Sequence, residues 1–211
     1  MVGMRIAIYC GSSGGQNPSH RKAAAELAAF LAQQGIGLVY GGGNVGLMGT
    51  IANAALAAGG EVIGVIPQAL MDKELGHRGL TELYVVKSMH ERKQLMVDKS
   101  DGFIALPGGF GTLDELFETL TWLQLGFHEK PVGLLNVNGY FDHLLRFLDH
   151  MTEQEFLKPE HRDCLLLSET PADLLAQMRR FEPPKLDKWI EVLIANEAAD
   201  VSDSGTPVLE R

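Results

Sequence analysis

Apolar residues along the chain fall into short continuous runs, and the stretches between them carry helical spacing. The runs are RIAIYC, IGLVY, EVIGVIP, LYVV, GFIALP and PVGLLN. Helical patterns cover 19–34, 45–58, 89–99, 112–125 and 139–151. The runs do not alternate apolar with polar, so both of their faces are covered, as in parallel strands sandwiched between helices. This predicts an α/β fold, a doubly wound and mostly parallel sheet with helices on both faces. In such a sheet ligands lie outside the carboxyl ends of the strands. Four turns there are candidates: CGSSGG, YGGGNVGLMG, KSMHERK and LPGGFGTLDE. All four are expected on one edge, with adjacent parallel strands delivering the last two side by side.

A length of 211 residues suits one sizeable core. We expect a domain over 1–181, followed over 182–211 by a helix, KLDKWIEVLIANEAA, and a polar tail. The 24 glycines fit many tight strand-to-helix turns. A net charge of −9 argues against a nucleic-acid surface, which needs an excess of Lys and Arg, although a small anion can still be held locally. No apolar run approaches the roughly 18 residues that span a bilayer, and MVGMRIAIYCGSS reads as a strand and a glycine turn. A soluble, cytoplasmic protein without membrane contact is expected. Cys10 and Cys164 form no CxxC pair, and the seven histidines show neither HxH nor HExxH spacing, so no metal is expected. Cys10, at a strand end, reads as apolar filler before it reads as a nucleophile.

GGGNVG, residues 41–46, matches GxGxxG. A dinucleotide site also needs an acidic residue near the end of the next strand, and EVIGVIP carries Glu61 at its start and Pro67 at its end. NAD is therefore disfavoured. PGGFGTLDE, 107–115, is the stronger signal, because Gly108, Gly109 and Gly111 precede a helix expected to start at Thr112, whose free amides favour an anion. Thr112 and Glu115 also form a capping box, which gives Glu115 a purely structural alternative. In SMHERK, 88–93, Ser88 and Glu91 form a second such box. Arg92 and Lys93 follow near the helix start, where the macrodipole disfavours each cation by about 0.3–1 kcal/mol unless an anion is bound. Together the two helix starts would neutralise one phosphate dianion. A carboxylate beside them is expected to have a lowered pKa and to stay ionised.

GGGNVGLMG, SMHERK and PGGFGTLDE, in this order and spacing, resemble the LONELY GUY (LOG) family of cytokinin riboside 5'-monophosphate phosphoribohydrolases, whose signature is PGGxGTxxE. The resemblance runs from CGSS through GLLNVNGYFDHLL, about residues 5 to 180. It implies a Rossmann-like fold, usually a homodimer with the active site near the interface. It also implies hydrolysis of the N-glycosidic bond of purine nucleoside 5'-monophosphates, AMP among them, with no cofactor. Carried over by motif, the catalytic pair is Arg92 and Glu115. Lys93 and the loop Gly109, Phe110, Gly111 and Thr112 bind phosphate, Leu113 and Asp114 extend the substrate site, and Glu74 and Thr121 contact the nucleotide. Asn44 departs from the serine common in the family. Two rival functions remain. A nucleotide or pterin-phosphate carrier gains little from Glu115. A pyridoxal-phosphate lysine decarboxylase, a label attached to the family, needs a Schiff-base lysine that neither Lys93 nor Lys99 supplies by motif.

Overall fold

The computed structural model describes residues 3–73 and 76–184. The helix expected over 185–199 lies outside the described residues. All six apolar runs form strands: β1 (Arg5–Tyr9), β2 (Gly37–Tyr40), β3 (Val62–Pro67), β4 (Glu82–Val86), β5 (Gly102–Ala105) and β6 (Val132–Leu135). A seventh, β7 (Leu165–Ser168), escaped the sequence pattern. Its residues, LLLS, include no β-branched side chain, and leucine fits a helix as well as a strand. The order is β4-β3-β2-β1-β5-β6-β7. Every pairing is parallel.

Helices α1 (Pro18–Gln33), α2 (Gly46–Ala57), α3 (Gln68–Met71), α4 (Met89–Asp98), α5 (Phe110–Gln124), α6 (Asp142–Glu153), α7 (Pro159–Arg162) and α8 (Pro171–Met178) complete the described residues. The period of two along each strand divides the core into two layers. Ile6, Ile8, Leu38 and Tyr40 face Leu27 and Leu31 of α1, Ile51 of α2 and Leu174 of α8. Ala7, Tyr9, Val39 and Phe103 face Met96 of α4, Leu116 and Leu123 of α5 and Leu148 of α6. Local signals place the ends. Asn17 caps α1 by accepting from the Ser19 amide (3.0 Å), with Pro18 in the first turn.

The chain winds outward from β1 to β4, then returns across the sheet to β5 and winds the other way. The switch point lies between β1 and β5, where the Gly11 amide donates to the Pro107 carbonyl (3.1 Å). One expectation needs correction here. β4 and β5 are not neighbours, because β3, β2 and β1 lie between them. The helix starts of α4 and α5 meet because α4 carries the chain back over β3, so that helix packs beside helix on one face.

Candidate active site

The structure begins α5 two residues earlier than the sequence pattern, at Phe110, with Gly109 as the N-cap and no side-chain cap. Thr112 is therefore inside the first turn, and the capping box with Glu115 does not form. The cause is close packing: a Cβ on Gly108 would stand 2.0 Å from the buried Thr112 Oγ1 and 2.8 Å from the Gly11 amide. The first intrahelical bond is made by Leu113, whose amide donates to the Gly109 carbonyl (3.2 Å). The amides of Phe110, Gly111 and Thr112 are the unpartnered donors of a helix start, aimed with the positive end of the helix dipole at any bound anion. Phe110 itself is 94% exposed beside them.

On α4, Ser88 caps the helix by accepting from the Glu91 amide (3.1 Å), while the Glu91 carboxylate accepts from the Lys87 amide (2.8 Å). The next residue turns inward. Arg92 donates through Nε to the Val65 carbonyl of β3 (3.1 Å) and through Nη1 to Glu115 Oε1 on the second turn of α5 (2.7 Å). Arg92 is 9% exposed and Glu115 8%, so this is a buried ion pair at the sheet edge. Gly41 makes room for it, because a Cβ there would stand 1.9 Å from Arg92 Nη2. The first glycine after β2 thus serves a guanidinium, while Gly42, at φ +72°, is packed against Ile66 and Leu83. The expected lowering of the Glu115 pKa is also corrected. Burial pushes this carboxyl up, and the Arg92 charge and hydrogen bond offset that only in part.

Lys93 does not point at the glycine loop. Its Nζ donates to Asp114 (3.2 Å) and Glu118 (2.9 Å), both on α5. Burial disfavours its charge, but the Glu118 and Asp114 carboxylates outweigh burial and raise its pKa. Leu113 is half-buried on the same helix, and Asp114 is exposed. Thr121 is not brought to the pair. It lies six residues beyond Glu115, about 9 Å along the axis, donates to the Phe117 carbonyl (2.7 Å), and lines a separate cavity of about 130 Å³ with Leu120 and Met151. Glu74 lies outside the described residues.

Two groups were missed by sequence reasoning. Tyr9, at the end of β1, shares a hydrogen bond with Thr119 Oγ1 (2.9 Å), whose own proton goes to the Glu115 carbonyl (2.8 Å). Tyr9 is thus the donor of a buried chain that ties the backbone of Glu115 to the sheet. His128 Nδ1 accepts from the Lys130 amide (3.1 Å), so Nε2 carries the proton and donates to the Thr119 carbonyl (3.0 Å). The partners Tyr9 and Thr119 are 110 residues apart, and no local signal joins them. On the other side of the glycine loop a cleft of about 540 Å³ is lined by Ser12, Ser13, Asn17, His20, Gly108 and Tyr140. Its CGSSGG and PGG edges stood out in the sequence, whereas His20 and Tyr140 did not. Cys10 lies beneath, its thiol pushed far up by burial, which suits filler and not a nucleophile.

The fold is that of a Rossmann-like α/β protein, a parallel sheet with an uncapped, glycine-lined helix start at its switch point beside a buried carboxylate. Comparison with known proteins gives the family. The profile described as "Possible lysine decarboxylase" matches residues 48–178. The probable cytokinin riboside 5'-monophosphate phosphoribohydrolase LOGL6 of Oryza sativa subsp. japonica is 49% identical over 179 residues, 85% of this chain and 72% of its own. The cytokinin riboside 5'-monophosphate phosphoribohydrolase LOG7 of Arabidopsis thaliana is 44% identical over 198 residues, 94% of this chain and 91% of its own. The chain belongs to the LOG family of phosphoribohydrolases. Among solved structures, the molybdenum cofactor binding protein of Rippkaea orientalis superposes with a TM-score of 0.64 at 24% identity, covering 85% of this chain and 98% of that one, which shows the shared fold.

Proposed function

We propose that this chain hydrolyses the N-glycosidic bond of purine nucleoside 5'-monophosphates, cytokinin riboside monophosphates and AMP among them, to the free base and ribose 5-phosphate. The observation that carries this is the buried Arg92–Glu115 pair beside the unpartnered amides of residues 110–112. The printed activity of relatives at 44% and 49% identity supports it. The phosphate docks on those amides and serves as a handle that orients the ribose. As the bond from C1' to the base nitrogen breaks, the sugar takes on oxocarbenium character, which the Glu115 carboxylate stabilises while it accepts a proton from the attacking water. The water oxygen joins C1', and the proton taken up by Glu115 passes on to the departing base, so that water supplies both the new hydroxyl and the proton and the carboxylate is regenerated. Arg92 holds the carboxylate in place and offers its remaining guanidinium edge to the ligand.

Met89 and Phe110 are large apolar side chains exposed at the starts of α4 and α5, next to the pair. They support a homodimer whose interface runs beside the active site. Pyridoxal phosphate does not fit these residues, since the amine of Lys93 is held as a cation by two carboxylates and that of Lys99 lies over the Tyr84 ring (4.0 Å).

The test is incubation with AMP and with isopentenyladenosine monophosphate, followed by assay for free base and ribose 5-phosphate. Glu115→Gln should lower kcat by at least about 100-fold and leave nucleotide binding largely intact. A kcat of that variant near the wild-type value, or equal turnover of adenosine and AMP, would refute the proposal.

A further inference from the structure

The carbonyls that precede the α5 amides are all occupied. The Pro107 carbonyl accepts from the Gly11 amide (3.1 Å), the Gly108 carbonyl from the Tyr140 hydroxyl (2.7 Å), and the Gly109 carbonyl from the Leu113 amide (3.2 Å). Directly after them come the three free amides of residues 110–112. The loop therefore presents donors to a ligand only because each repelling oxygen has been given a donor of its own. The middle bond is the vulnerable one. The peptide between Gly108 and Gly109 has no Cβ on either side, and although Gly108 is packed against Thr112 and Gly11, a Cβ built on Gly109 would meet nothing within 4 Å, so the Gly109 side is open. Such a peptide turns over at little steric cost, and turning would bring its oxygen toward the anion. Tyr140 supplies the only donor to the Gly108 carbonyl among the described residues.

Tyr140 is itself held. Its ring packs edge-on against Phe141 (5.0 Å between centroids) and His20 at the start of α1 (5.6 Å). The same turn is tied to α1 by Asn138 Nδ2, which donates to Ser19 Oγ (2.6 Å). The hydroxyl thus reaches the loop from a corner tied to α1 and Phe141, with no hydrogen bond to the Arg92–Glu115 pair among the described residues.

We propose that Tyr140 is a positioning residue of the phosphate site, locking the Gly108–Gly109 peptide so that the amides of 110–112 face the substrate's 5'-phosphate. This rests on the proposed function for the identity of the anion. Tyr140→Phe keeps the ring and its packing and removes only the donor. One hydrogen bond of ordinary strength corresponds to about a three- to tenfold change in affinity. Accordingly, KM for AMP and the inhibition constant of ribose 5-phosphate should both rise by about that factor, with kcat within about twofold of wild type and slow turnover of adenosine unchanged. A purely structural role would lower activity toward AMP and adenosine alike. Amide NMR of the full chain titrated with ribose 5-phosphate separates the possible failures. If the Gly109 and Gly111 resonances of the wild type do not respond, the phosphate site itself is misplaced. If they respond equally in wild type and Tyr140→Phe, the phosphate site stands and the role of Tyr140 is overturned.

Discussion

Gly41→Ala offers the sharpest check on the Arg92–Glu115 site, because it adds one methyl group and leaves every charged residue in the sequence unchanged. A Cβ at position 41 would stand 1.9 Å from Arg92 Nη2, 3.0 Å from Cζ and 3.4 Å from Met48 Sδ. Ordinary contact begins near 3.4 Å, so the guanidinium must retreat by about 1.5 Å (3.4 − 1.9). The methyl displaces the end of a flexible side chain and not backbone, so the fold should survive, with a Tm within a few degrees of wild type. The pair should not survive. A shift of that size takes Nη1 out of reach of Glu115, now at 2.7 Å, or Nε out of reach of the Val65 carbonyl, now at 3.1 Å. Loss of one charge-assisted bond corresponds to about 1.5–3 kcal/mol. At about 1.4 kcal/mol per decade, kcat/KM should fall by about 10- to 150-fold. Steady-state kinetics with AMP, paired with thermal unfolding of the same preparation, provides the test. Full activity in a folded Gly41→Ala variant would mean that Arg92 does not need its present place.

The carboxyl of Glu115 is pushed up by burial more than Arg92 pulls it down, so the acidic limb of kcat/KM should have its midpoint above 4.5, with activity lost as pH falls through it. The stability sign is the reverse of an ordinary ion pair: the folded chain binds this proton more readily than the unfolded one, so stability falls as pH rises from 4.5 through the folded value. Glu115→Gln should therefore gain in Tm relative to wild type between acidic and neutral pH, and a difference independent of pH would contradict this assignment. Burial also pushes the Cys10 thiol far up and Cys164 up to about 11, so neither should react with a thiol reagent in the native protein at pH 8, and Cys10→Ala should retain activity.

The sheet was legible because a strand covered on both faces has no polar side to hide it, and six of the seven strands stand as apolar runs. LLLS lacked that mark. The site was legible in its residue types and not in its arrangement. Arg92 and Glu115 stood out by charge near helix starts, but strand order is a property of the whole chain, and nothing local says that α4 doubles back over β3. The start of α5 differs from the sequence reading because threonine is a strong cap signal, and its competitor is close packing at Gly108, between the Thr112 hydroxyl and the Gly11 amide of the neighbouring strand end. The Glu115 shift was misjudged for a related reason: sequence shows neighbouring charges, whereas burial, the larger effect here, appears only once the layers are assembled. Lys93 finds its carboxylates 21 and 25 residues away.

The doubling back of α4 has a bearing on how such a protein can change. In the proposed reaction the amides that grip the anion lie on one unit, β5 running into α5 and steadied by Tyr140, whereas the reactive pair needs a guanidinium imported from a helix that leaves the far border of the sheet. Affinity and turnover are thereby assigned to different parts of the chain. A lineage could slacken or redirect α4 and lose hydrolysis while still holding its ligand, and a scaffold endowed with the glycine loop alone would capture phosphates without ever cutting what they carry.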